Sequence, residues 1–152
     1  IYEHLEKLNP NDAVIYFNKG VILFELEKFD EAVDQFIEST VKGEAENNWE
    51  VIEDSESYLK QLTEKLPNNT DILHTLATLS LEQEKFADAE KYFQKILFIN
   101  PEDKGAHLNL GHIYYQGGDQ NDKALQHFSK YLELNPTSED RVEIDSIIAN
   151  LR

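Results

Sequence analysis

The sequence predicts an all-α chain of helix pairs stacked one on the next. Three observations predict it. A phrase built on one small residue and one aromatic recurs, as KFDEAVDQF at 28–36, KFADAEKYF at 85–93 and QNDKALQHF ending at Phe128. Prolines punctuate the chain at near-constant spacing: Pro67 to Pro101 is 34 residues, and Pro101 to Pro136 is 35. A small residue in an apolar stretch (Gly20, Ala77 or Gly111) precedes an alanine by 12 or 13 residues (Ala32, Ala89 or Ala124), and an aromatic follows four residues later (Phe36, Phe93 or Phe128). Self-similarity of this period marks units that cannot bury their apolar faces alone and must stack on a like neighbour.

Residues 1–10, IYEHLEKLNP, read as the tail of a repeat whose front is missing. Tyr2 and Leu5 stand eight and five residues before Pro10, as Phe93 and Ile96 stand before Pro101 and Phe128 and Tyr131 before Pro136. The chain does not begin with Met, so a piece of a longer protein is expected. Residues 11–43 form the first full repeat, with Asp12 expected to cap its first helix. A glycine inside a helix costs about 1 kcal/mol against alanine. A recurring one therefore calls for a packing reason. The reason expected is a close crossing of two antiparallel helices, with the aromatic filling the gap beside it.

The period breaks at residues 44–67. Gly20 to Ala77 is 57 residues where two periods would need 68, and the 11 missing residues amount to about three helical turns. No Gly or Pro interrupts the stretch from Asn48 to Leu66. Residues 48–66 are accordingly predicted as one long helix in place of a pair, with Trp49, Ile52, Leu59, Leu62 and Leu66 as its buried stripe. Regular repeats resume at 68–101 and 102–136. Leu73, Leu76, Ala77 and Ser80 share one helix face there, and Ala89, Phe93 and Ile96 share another. EKF at 84–86 and GGDQN at 117–121 are turns, Asn-Pro closes each second helix, and Thr70 and Thr137 are expected caps. Residues 137–152 read as a terminal helix that covers the end of the stack with Val142, Ile144, Ile147, Ile148 and Leu151.

These marks resemble the tetratricopeptide repeat, a 34-residue helix–turn–helix unit. The resemblance covers 11–43 and 68–136, with 1–10 as a partial repeat. It implies a single domain over 1–152: a right-handed superhelical α-α solenoid with one irregular long helix and a C-terminal capping helix. In that family the first helix of each pair lines a concave groove that holds an extended peptide or a helix. Carried over, the groove positions are Phe17, Asn18 and Val21 (flanked by Val14 and Phe24), then His74 and Thr78, then Leu108, Asn109, His112 and Tyr115. Asn18 and Asn109 each stand two residues before a repeat glycine. A side-chain amide donates and accepts, so it can hold a peptide backbone of any sequence. Chaperone-binding members clamp a terminal carboxylate with basic residues. Phe17, Val21, Asp71, Gly105 and Asn109 occupy those places here, so no such clamp is expected.

The charge points the same way. Thirty acids against 14 bases give a formal net charge of −16. Such a field repels nucleic acid and anionic membrane and draws in a cationic partner. Residues 44–56 are the most acidic stretch, and Glu50, Glu53 and Asp54 are a candidate docking face for a basic segment, set against an ordinary solvated helix face. No signal peptide and no apolar run long enough to span a bilayer is present. Cysteine is absent, which removes disulfides and thiol chemistry and leaves the compartment open.

No nucleophile elbow, phosphate-cradling loop or zinc-helix motif occurs. His74 and His112 could face each other across neighbouring repeats, but no third metal ligand is evident. No catalytic residue, metal or cofactor is therefore expected. Asn68-Asn69-Thr70 fits a glycosylation acceptor and also a turn with a helix cap. The expected function is a non-catalytic protein–protein interaction module binding a peptide or helix with apolar anchors and net positive charge. The rival readings are a self-assembling repeat segment, or a scaffold part of a larger protein.

Overall fold

A computed structural model describes residues 9–118 and 120–151. The expected repeat tail at 1–10 falls mostly outside them. The described residues form eight α-helices and no strand: α1 (Ala13–Glu25), α2 (Phe29–Glu46), α3 (Trp49–Lys65), α4 (Thr70–Glu82), α5 (Phe86–Ile99), α6 (Lys104–Gly117), α7 (Asn121–Leu134) and α8 (Arg141–Leu151). The chain is an all-α helical repeat solenoid. No described helix is long and apolar enough to cross a membrane. The chain divides into two compact units, at Leu79 and Ser80 within α4.

In the first unit, α1 starts where Asp12 accepts from the Val14 N–H at 3.0 Å. α1 and α2 are joined by a Schellman-type turn. The Lys28 N–H reaches back to the Leu23 carbonyl at 2.9 Å, with Glu27 in the left-handed region at φ 58°. The two helices cross at Gly20. A Cβ placed there would lie 2.7 Å from the Phe36 ring, so the aromatic sits directly on the glycine. The gap beside the crossing and the crossing itself are thus one feature.

α3 is a single uninterrupted helix, capped by Asn48, whose side chain accepts from Val51 N–H. It approaches α2 at Gly43, where a Cβ would lie 2.7 Å from Ile52. A buried chain of hydroxyls ties three helices: Ser55 Oγ on α3 pairs with Ser39 Oγ on α2 at 3.1 Å, and Ser39 donates to the Ala13 carbonyl of α1 at 3.0 Å. Ile52, Leu59 and Leu62 are buried as expected, joined by Val51. Trp49 is not: it is 58% exposed. It occupies the first helical position, at the edge of the stripe. Leu66 lies just past the helix end, half-buried. The next helix starts at Thr70 rather than being capped by it, since Asn69 Oδ1 accepts from both Asp71 N–H and Ile72 N–H at 3.1 Å.

In the second unit, the turn into α5 repeats the first hairpin. The Lys85 N–H reaches the Ser80 carbonyl at 2.8 Å, with Glu84 at φ 56°. Asp103 caps α6 through the Ala106 N–H at 2.8 Å. Gly118, at φ 75°, ends α6 in a conformation that glycine adopts without penalty. Gly111 repeats the Gly20 crossing: its missing Cβ would be 2.6 Å from the Phe128 ring. α8 begins at Arg141, four residues after Thr137, so Thr137 does not cap it. Ile144 and Ile148 are buried, whereas Val142 is 82% exposed. Two residues before Ile144, it lies on the far side of the helix.

Candidate functional site

The positions carried over from the repeat pattern lie on α1, α4 and α6. On α1, Phe17, Asn18 and Val21 are all half-buried. The Phe17 ring packs 6.0 Å from Phe36 and 5.9 Å from Tyr58. Tyr58 of α3 in turn stacks on Phe36 at 4.8 Å and meets Phe24 edge-on at 5.2 Å. Phe17 is therefore committed to the joint between α1, α2 and α3. Tyr58, which anchors that joint, carries no repeat-pattern signal, because its segment is the one that breaks the period.

On α4, His74 and Thr78 line a groove whose other wall is α2. Asp34, Ile37 and Glu38 lie opposite Asp71, His74 and Thr75 around a cavity of about 450 Å³. An adjoining cavity of about 250 Å³ continues along Val41, Glu44, Thr78 and Leu79. Between α2 and α4 in the chain stands the single helix α3.

On α6, Leu108, His112 and Tyr115 are spaced to share one face. Tyr115 is 38% exposed, and the His112 ring stands edge-on to Phe128 at 5.1 Å. The Asn109 amide donates to the Gly105 carbonyl of its own helix at 2.9 Å, which leaves its oxygen as an acceptor. On α3, Glu50, Glu53 and Asp54 are all exposed and spaced to share a face.

The repeat pattern gave no warning of a polar knot that joins α5, α6 and α7. His107 Nδ1 and His127 Nδ1 are 2.9 Å apart, and His107 Nε2 is 3.0 Å from the Pro101 carbonyl. That carbonyl can only accept, so His107 carries its proton on Nε2. Its bare Nδ1 then accepts from His127 Nδ1–H. Tyr114 stacks on His127 at 5.6 Å and lies beneath Lys123 Nζ at 4.8 Å. The Tyr114 hydroxyl donates to Glu90 at 2.7 Å and accepts from Gln94 at 3.1 Å. Burial, followed by the proximity of His107, where a second positive charge would be opposed, and of Lys123, lowers the His127 pKa to about 4. Burial, followed by the hydrogen bond to Glu90, raises that of Tyr114. The one signal available in the sequence was a histidine one residue before Phe128, where the other copies carry Gln35 and Tyr92. Among the described residues no group of three or more His, Cys, Asp or Glu side chains could hold a metal.

Helix hairpins locked by a small residue against an aromatic, repeated along one chain, define the class of helical-repeat solenoids. Tetratricopeptide repeat models match residues 13–40 and 74–139, together more than half of the chain, and the chain belongs to that family. The chain is 28% identical over 145 residues to the cell division cycle protein 27 homolog A of Arabidopsis thaliana. That match covers 95% of this chain but only 17% of the relative's length. Among solved structures, the first tetratricopeptide domain of Spaghetti (RPAP3), bound to the HSP90 peptide SRMEEVD, has a TM-score of 0.55 at 20% identity, covering 92% of this chain and 93% of that one. YrrB, described as having an unusual peptide-binding site, has a TM-score of 0.60 at 18% identity, covering 95% and 80%. TTC0263 of Thermus thermophilus has a TM-score of 0.60 at 19% identity, covering 97% and 87%. At these identities the solved structures speak for the fold.

Proposed function

We propose that the chain is a non-catalytic protein–protein interaction module that holds a partner peptide or helix on the first-helix faces of its repeats. The observation that carries this reading is the α6 face. An exposed aromatic ring, Tyr115, is spaced to share a face with His112 and Leu108, and the same helix carries an amide oxygen on Asn109 that can receive a peptide N–H. Aromatic rings supply large contact area at small entropic cost, and truncating one in a central pocket costs 2 kcal/mol or more in the strongest cases. Family membership supports the reading. The net charge of −16 favours a partner segment of net positive charge.

The test is a display of diverse peptides against the chain, followed by titration of the peptides selected. Tyr115→Ala is expected to weaken binding by about 1–3 kcal/mol and Asn109→Ala by about 1 kcal/mol. If no peptide is selected, or if both variants bind as the parent does, the α6 reading fails.

A further inference from the structure

We infer that the groove between α2 and α4 is a docking site for a basic segment of a partner protein. A lysine or arginine would enter it, its stem on Ile37 and Val41 and its charged head between Asp34 and Asp71. The inference rests on the interaction reading but not on the α6 face. It is carried by geometry and charge within the first unit.

The floor is apolar. Ile37 and Val41 stand four residues apart on α2, hence on one face, and Val41 is 52% exposed. Across from them, Thr75 and Thr78 are short enough to leave the cavities open. Long basic side chains bury their methylene stems on such surface while the head stays near water.

The rim is acidic on both walls, with Asp34 and Glu38 on α2 and Asp71 on α4. Lys42 is the one lysine or arginine on these two helices. It is already committed, to Glu38 at 3.2 Å and to Asn11 at 3.4 Å. Asp34 and Asp71 make no ion pair among the described residues. A cation supplied by a partner is what the groove lacks. Acidic peptides would be repelled by the same walls.

The test uses the whole chain and two short synthetic peptides, one of lysine, leucine and alanine and a twin with glutamate in place of every lysine. Binding is titrated by calorimetry and mapped by backbone amide shifts. The lysine peptide is expected to saturate, with shifts centred on Ile37, Val41, Thr75 and Thr78, and the glutamate twin is expected not to bind. The double variant Asp34→Asn, Asp71→Asn is expected to bind about tenfold more weakly, each exposed carboxylate contributing a few-fold. Both positions are exposed, and a circular dichroism melt confirms that the variant folds. Asp34→Lys, which leaves the first turn of α4 untouched, should lose at least as much.

Failure of the lysine peptide to bind overturns the groove. So does undiminished binding by the double variant and by Asp34→Lys. Shifts centred on Tyr115 or on Glu50, Glu53 and Asp54 also overturn it, while leaving the interaction reading in place. That reading falls separately, when diverse peptides select nothing.

Discussion

Gly20 and Gly111 meet the same kind of ring in two different settings, and the contrast separates what repeats in this chain from what does not. At both crossings a phenylalanine from the second helix fills the space that a Cβ would take. In the first unit that ring is then covered by a third helix, with Tyr58 stacked on Phe36 and a buried hydroxyl chain beside it. In the second unit the ring of Phe128 meets His112 of α6, and the neighbouring helices are tied by the knot of His107, His127, Tyr114, Glu90 and Gln94. The repeated phrase builds the hairpin. Residues outside it decide what each hairpin is fastened to, by an apolar stack in one case and by titratable groups in the other.

The largest effect that tests this contrast is removal of the ring. Phe36→Ala and Phe128→Ala should each cost about 3–5 kcal/mol, the range for a large buried aromatic. Phe36→Ala should cost more, because it also forfeits the stack on Tyr58 and the contact with Phe17, each ring pair adding about 0.5–1.5 kcal/mol. Denaturant titration of both variants measures this. An equal or larger loss at Phe128 would show that α3 adds nothing to the crossing, and the contrast would be broken.

A smaller effect is expected from pH, and in the second unit. His127 titrates at about 4 in the folded protein against an ordinary 6.5. Above pH 6.5 it is neutral in both folded and unfolded chains, and its contribution to stability is fully present. As pH falls from 6.5 toward 4, the unfolded chain binds a proton that the folded one refuses, so stability declines. Below about 4 this decline levels off. With allowance for a half-exposed ring, the loss is about 1–2 kcal/mol. His127→Asn keeps an N–H donor for His107 and should flatten that part of the profile. Thermal melts of parent and variant at pH 7 and pH 4.5 compare the two slopes; parallel slopes would remove His127 as the cause.

How far the sequence could be read follows from the same division. Helix hairpins, their turns and the small-residue crossings were legible, because each is written several times at fixed offsets. The single helix at α3 was legible from the 11 missing residues and the lack of any breaker. Which partners those residues meet was not. Tyr58 belongs to the segment without a repeat, so no register placed it against Phe36. His74 and Thr78 line a groove with α2, a neighbour that the offsets of the repeat do not name, because the segment between α2 and α4 breaks the period. His107 and His127 are 20 residues apart and on different helices, a pairing that no spacing rule within one helix can reveal. Trp49, expected in the buried stripe of its helix, and Val142, expected to cover the end of the stack, are both exposed, each at or near a helix start.

The smallest effect concerns the turn that the two units share. Glu27 and Glu84 hold the same place in their hairpins, at φ 58° and 56°. An L-residue with a Cβ pays about 1–2 kcal/mol in that region, and glycine does not. Glycine gives back part of the gain by loosening the unfolded chain. Glu27→Gly and Glu84→Gly should therefore each stabilise the protein by about 0.5–1 kcal/mol. Asn47, at φ 56° after α2, is a third left-handed position. Asparagine tolerates that region better than glutamate does, so Asn47→Gly should gain less than either. Melting temperatures of the three single variants and the double Glu27→Gly, Glu84→Gly decide the matter. The two glutamate sites lie far apart in sequence with no shared partner in the turn bonds, so their gains should add. Equal, additive gains would mean that the hairpin turn behaves alike in both units. A gain at only one site would mean that the unit around it, and not the turn, sets its conformation.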